Sequence, residues 1–314
     1  MIDLSLIEYT SIEEVMKGSI ETGFCDYDRH IYDLKRQEIT VIVGRNGEGK
    51  STVASQIIAH HINQKGRAYL FSGELGPSKI QEWLYKQIVG GDEEYYNRVQ
   101  TKYGDVLELK PYVVKAVKKW HEGRLFIHQQ RLKKGKTDTL FEDMETLSGA
   151  AFGIRLYVID NVMTAMSANA TTQYADQSNF IQRCKDFAIK TNSHVIIISH
   201  PNKEKEELTI ESEKGNLDKT NISGSNDIPN KADNIIAIER IFKSGTESGP
   251  DLLMTSLKDR WTGQRKMFKY YFSKKSLRFH NGSTKENATY TWKKYLTKDE
   301  QMKGFKKWTE EAPF

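Results

Sequence analysis

Ile39-Thr40-Val41-Ile42-Val43-Gly44-Arg45-Asn46-Gly47-Glu48-Gly49-Lys50-Ser51 joins an apolar, β-branched run to the signature GxxxxGK[ST], and an amphipathic helical period begins at its end. The order of residue types serves one chemistry. Glycines let the backbone curl until successive N–H groups point at phosphate oxygens, and the helix starting near Gly49 adds its positive end. Lys50 reaches the outer phosphates and Ser51 holds magnesium. The stretch Gly44 to Ser51, with Thr52, is therefore the candidate nucleotide cradle, and ATP and Mg2+ are the implied cofactors.

Outward from this stretch, short β-branched runs alternate with helical periods. The runs are Ile39–Val43, Arg67–Ser72, Arg124–His128, Ile154–Ile159, His194–Ser199, Asn234–Glu239, Asp251–Leu257 and Met267–Phe272. Helices are expected over Lys50–Asn63, Pro77–Val89 and Tyr174–Thr191, the second with Pro at its first turn. That rhythm means an α/β fold built on a largely parallel sheet. Thr10 to Lys17, with Thr10 or Ser11 as N-cap, predicts a short lead-in helix before it.

Two acidic residues complete the site. Leu156-Tyr157-Val158-Ile159-Asp160 is a buried strand ending in a carboxylate, which makes Asp160 the partner of Ser51 on magnesium. Asn161 stands where an adjacent glutamate is common, so the carboxylate that orients water lies elsewhere. Glu74 ends the strand after the first helix and emerges at the same edge of a parallel sheet.

The 314 residues, 38% apolar, suffice for one sizeable core. No apolar run approaches the roughly 18 residues of a spanning helix and Met1-Ile2-Asp3 opens no signal peptide, so no membrane partner and a cytoplasmic location are expected. Mean hydropathy is −0.64. Cys25 and Cys184 are too few for a disulfide framework or a thiol zinc site. Net charge is only +5, yet Lys110 to Lys136 holds nine basic side chains against one acidic, and Ser256 to Phe279 eight against one. Segregated charge of this kind steers polyanions, although a solvated helical face has the same composition.

From about Glu21 to Leu277 several motifs occur in an order that resembles the RecA-like replicative ring helicases of the DnaB and Twinkle type, including the helicase half of phage helicase-primases. Thr22-Gly23-Phe24 with Asp28-Arg29 is similar to the start of that family's core, and the phosphate loop, Glu74 and Asp160 follow. Ile198-Ser199-His200-Pro201 resembles the phage and mitochondrial group, in which His is the γ-phosphate sensor. Ser223-Gly224-Ser225 through Ala232-Asp233 to Glu239-Arg240 is similar to the family's fourth motif, and Leu257-Lys258-Asp259-Arg260-Trp261-Thr262-Gly263 to its last.

The resemblance implies Lys50, Glu74, His200, Arg260 and Lys258 as catalytic residues, Arg260 being a finger given to a neighbouring subunit's ATP and Lys258 its assistant. Arg240 and one aromatic of Tyr270-Tyr271-Phe272, with Tyr271 as candidate, sandwich the adenine. The 201–228 loop grips single-stranded DNA, with Lys203, Lys219 and Ser225 as contacts and Lys203 foremost because it lies three residues from His200. The implied protein is a ring-shaped homo-oligomer, a hexamer, translocating on single-stranded DNA in a phage or plasmid system, in the host cytoplasm if phage-encoded. Its divisions are a lead-in helix over 1–20, a RecA-like ATPase core over 21–280, and a basic, aromatic tail over 281–314. Neither a helical collar nor a primase module fits before Gly23, so a loader or primase is supplied separately. A RecA- or RadA-like recombination ATPase, and a P-loop kinase or signalling ATPase without nucleic acid, are the competing readings.

Overall fold

The apolar run before the phosphate signature forms β1 (Glu38–Val43), buried along its last five residues. Burial of both side-chain faces is what a central parallel strand requires, since helices cover the sheet on either side. The computed structural model describes residues 11–128, 136–149, 151–166, 173–200, 227–241, 249–282 and 290–300. Within them β1 lies between β7 (His194–Ser199) and β8 (Asn234–Arg240), parallel to both. The sheet continues from β7 through β6 (Leu156–Asp160) and β2 (Ala68–Ser72) to β5 (Leu125–Ile127), all parallel. On the other side, β9 (Leu252–Asp259), β10 (Lys266–Ser273) and β11 (Arg278–His280) extend it as an antiparallel meander. The result is one nine-stranded α/β sheet, six strands of it parallel.

Helices pack on both faces. α3 (Lys50–Asn63) and α4 (Pro77–Val89) share one apolar cluster with α5 (Pro111–His121), while α6 (Lys136–Ser148) and α8 (Gln173–Thr191) share the other. Alternation divides β1 between the clusters: Ile42 faces the first, and Ile39, Val41 and Val43 the second. Each of the eight expected runs forms a strand. The sequence reading did not anticipate α2 (Cys25–Ile31), β11, or a separate hairpin of β3 (Tyr96–Thr101) and β4 (Gly104–Leu109).

The lead-in helix is α1 (Ile12–Met16), with Ser11 as N-cap: Ser11 Oγ accepts from Glu14 N at 3.2 Å, and the Glu14 carboxylate accepts from Ser11 N at 3.0 Å. The Thr22-Gly23 motif is a clamp on α2, since Asp28 accepts from Thr22 N, Thr22 Oγ1 and Gly23 N. Within the basic stretch, α5 buries Val113, Ala116, Val117 and Trp120, so its lysines are the outer face of a core helix. Residues 290–300 pack against it: Trp120 stacks on Tyr290 at 6.2 Å, and Trp292 meets Tyr95 edge-on at 4.9 Å. No described helix is long and apolar enough to cross a membrane.

Candidate nucleotide site

Because β1, β2, β6, β7 and β8 run parallel, their C-terminal ends converge on one edge of the sheet, and each delivers a polar residue there. Gly44 leaves β1 so close to β8 that a Cβ would stand 2.4 Å from the Ile238 carbonyl oxygen. Gly49 has φ +97°, and its α carbon faces the Phe279 ring. The loop crest, Asn46 and Gly47, is exposed. Lys50 is buried and donates from Nζ to the carbonyls of Gly44 at 2.7 Å and Arg45 at 2.8 Å, with His200 Nδ1 at 3.4 Å. Thr52, one turn in, is buried, and its carbonyl accepts from Gln87.

Asp160 ends β6 opposite Ser72 of β2. Burial raises its carboxyl above the usual range, the Ser51 hydroxyl hydrogen-bonded to it opposes that rise, and the nearby Glu74 adds to it. A hydroxyl and a carboxylate at a strand end suit magnesium, which keeps several waters and takes its remaining ligands from phosphates. Accordingly, no cluster of three or more His, Cys, Asp or Glu able to cage a metal exists among the described residues.

Asn161 joins the groups at the mouth of the site. Its Oδ1 accepts from Thr164 N at 3.1 Å, which fixes the amide, and Nδ2 donates to Glu74 Oε1 and faces His200 Nε2 at 3.1 Å. His200 Nε2 and Glu74 Oε1 are 4.0 Å apart. Lys50, Glu74, Asp160 and His200 are thus brought together, with Asn161 as the bridge. The sequence reading treated Asn161 only as a missing glutamate; an amide directly after the strand-end aspartate was the signal available.

Glu48 is buried in the loop, and burial, then repulsion by Glu239, pushes its carboxyl up to about 7. Arg240, at the end of β8, lies over the Phe272 ring at 5.2 Å, and Phe272 packs on Phe279 at 5.1 Å beside Gly49. The ring beside Arg240 is therefore Phe272, whereas Tyr271 stacks on His280 at 6.0 Å. Strand alternation is the cause, because adjacent residues of β10 face opposite ways.

Arg260 and Lys258 lie elsewhere. Asn234 pairs with Thr40 of β1 and with Asp259 of β9. The end of β9 is thus about four residues, roughly 13 Å, along the strands from the phosphate loop, and roughly 10 Å to its side. Arg260 is exposed on this opposite edge and pairs with buried Asp233 at 3.4 Å. Asp233 also takes Lys185 and accepts from Ile39 N at 2.9 Å. Lys258 donates to the carbonyls of Pro229 at 2.8 Å and Ala232 at 2.6 Å, so it caps the one-turn helix Asp227–Lys231, and it shares the Asn230 carbonyl with Arg260. Lys203, Lys219 and Ser225 lie outside the described residues.

A family model described as an AAA domain matches residues 29–206, more than half of the chain. Among solved structures, one described as an ATPase domain aligns with TM-score 0.68 and 17% identity, covering 86% of this chain and 95% of that one. Another, "The Structure Of A DnaB-Like Replicative Helicase And Its Interactions With Primase", aligns with TM-score 0.66 and 16% identity over 84% of this chain. The present chain spans 63% of that protein's length. Comparison with curated proteins gave no match.

Proposed function

The chain belongs to the AAA-domain family, and from that premise we propose that it is an ATP-driven replicative helicase core that moves along single-stranded DNA as a ring, a hexamer. One observation carries the assembly: the residues that cradle phosphate and orient water stand at one edge of the sheet, while Arg260 stands at the other. A finger at that distance serves a neighbouring copy, not its own nucleotide.

In this reading Lys50 exchanges the Gly44 and Arg45 carbonyls for the outer phosphates of ATP. Ser51 and Asp160 would hold magnesium, which would supply charge neutralisation at those phosphates. Glu74, held by Asn161, accepts the proton of the attacking water, and ADP and phosphate leave. His200 shares Asn161 with Glu74, so a change in its contact to the γ-phosphate reaches the segment that follows it, where Lys203, Lys219 and Ser225 meet DNA. Arg240 and Phe272 hold the base. The similarity in fold to a DnaB-like replicative helicase and to a second solved ATPase domain supports the same reading, as does the phage-type His200. A loader or primase is a partner of this motor, which works in the cytoplasm.

Two measurements test it. Single-stranded DNA should stimulate ATP hydrolysis, and the protein should displace a strand from a forked duplex. DNA stimulation without displacement indicates a recombination-type ATPase, and no stimulation indicates a kinase or signalling ATPase. For assembly, inactive Arg260→Ala and inactive Lys50→Ala proteins, mixed, should regain activity in a ratio-dependent way. No recovery in verified mixed assemblies would remove the trans finger.

A further inference from the structure

The edge of the sheet away from the phosphate loop carries a cleft of about 300 Å³ between the starts of three parallel strands and the end of α3. Arg36 precedes β1, Arg67 β2 and Arg155 β6, and His61 and Lys65 close the cleft from α3. Among the described residues no carboxylate and no Phe, Tyr or Trp lines it, and Ile20 is its one large apolar residue.

No carboxylate among the described residues neutralises these cations. Among the described residues none of Arg36, Lys65, Arg67 and Arg155 makes an ion pair. Arg67 and Arg155 each engage only Nη1, with the carbonyls of Ala151 and Phe152 and of Ile154 and Thr191. Arg36 Nε and His61 Nε2 are buried and lack a hydrogen-bond partner. Glycines make the room: a Cβ on Gly18 would stand 2.7 Å from the Arg36 guanidinium, and one on Gly66 2.2 Å from the His61 ring. Burial, and to a lesser degree the Arg155 charge, lowers the Arg36 pKa.

Three guanidinium forks with no negative partner match the oxygens of a phosphate. A protein partner would call for an apolar or aromatic anchor at the centre of the contact, which this cleft lacks. We propose that Arg36, Lys65, Arg67 and Arg155 form a second nucleic-acid contact that binds the phosphodiester backbone on the face opposite the nucleotide. It rests on the DNA-motor reading for the identity of the strand. The contact reads no bases.

The double variant Arg36→Gln/Lys65→Gln leaves the carbonyl-bonded arginines in place. Fluorescein-labelled oligo-dT and oligo-dA are titrated at several salt concentrations, with Lys115→Gln/Lys118→Gln on the exposed face of α5 as the control of equal charge. The expected result is a loss of affinity of about tenfold for both oligonucleotides. The slope of log K against log salt should fall by about 1.4, at about 0.7 per lost contact on single strands. The control, the melting temperature and DNA-free hydrolysis should be unchanged. An unchanged slope, an equal effect in the control, or displacement of the oligonucleotide by polyglutamate of equal charge overturns the site. Wild-type protein that binds no DNA overturns the helicase reading too, whereas normal wild-type binding with an indifferent double variant overturns this site alone.

Discussion

The two edges of the sheet are built from the same strands and solve opposite problems. At the nucleotide edge the polar groups satisfy one another: Lys50 bonds its own loop, and Asn161 ties Glu74 to His200. At the far edge Arg260 stands exposed on the Asp233 carboxylate and the Asn230 carbonyl, and the side chains of Arg36 and Lys65 bond to nothing among the described residues. Preorganised donors around a common centre suit a reaction in which charge develops, since they need no rearrangement when it does. Exposed or clustered cations suit a charge that arrives from outside the chain. In the proposed reading, one edge is a site and the other a set of contacts for partners.

Substitutions can sharpen or break that contrast. The largest effect is expected for Lys50→Ala: loss of hydrolysis by about a thousandfold, together with weakened binding of a fluorescent ATP analogue, because in the proposed mechanism the lysine contacts the phosphates themselves. Glu74→Gln should bind the same analogue normally while single-turnover hydrolysis falls about a hundredfold. Near-normal turnover there would move the base elsewhere.

A smaller effect is expected for Asn161→Ala. Removal of one hydrogen bond to a charged group, about 1.5 kcal/mol, should slow hydrolysis roughly tenfold with binding preserved. Asn161→Ala should also reduce the extent to which DNA stimulates the rate, since His200 loses the same partner. A drop in basal rate with stimulation intact would separate the two halves of the bridge.

The smallest effect concerns stability. In the folded chain Glu48 releases its proton only near pH 7, whereas unfolded glutamate does so near the ordinary value of 4.5. The unfolded state therefore binds fewer protons across that window, and wild-type stability falls as pH rises through it. Glu48→Gln removes this slope. Its melting temperature should exceed that of wild type by a few degrees at pH 8, and the gap should close by pH 5. An equal gap at both pH values would mean that the carboxyl is ionised throughout.

The nucleotide edge was the more legible in the sequence because its residues sit directly after apolar runs. Gly44, His200 and Glu74 follow a strand, Asp160 ends one, and parallel order alone gathers strand ends. What the sequence concealed depends on lateral position. That Lys258 caps the 227–231 helix, and that Arg260 stands far from its own phosphate loop, follow from which strand pairs with which and in what register. Tyr271 and Phe272 differ only by the phase of alternation along β10, and an aromatic triplet carries no mark of that phase. The basic cleft was hidden for the same reason, since Arg36, Arg67 and Arg155 are far apart in the chain and meet only because their strands start side by side. The lysines of Lys110 to Lys136 were conspicuous in the composition, and within α5 they are the outer face of a core helix.

Asp233 holds the foot of β1 through the Ile39 amide and the head of Arg260 through its guanidinium. The strand between that foot and Gly44 is flanked on both sides by parallel partners, so its length is as fixed as the distance between two teeth of a gear. In the proposed ring each copy therefore carries its own pitch: the interval from the nucleotide it holds to the arginine it extends is cut into one sheet, not negotiated at the interface.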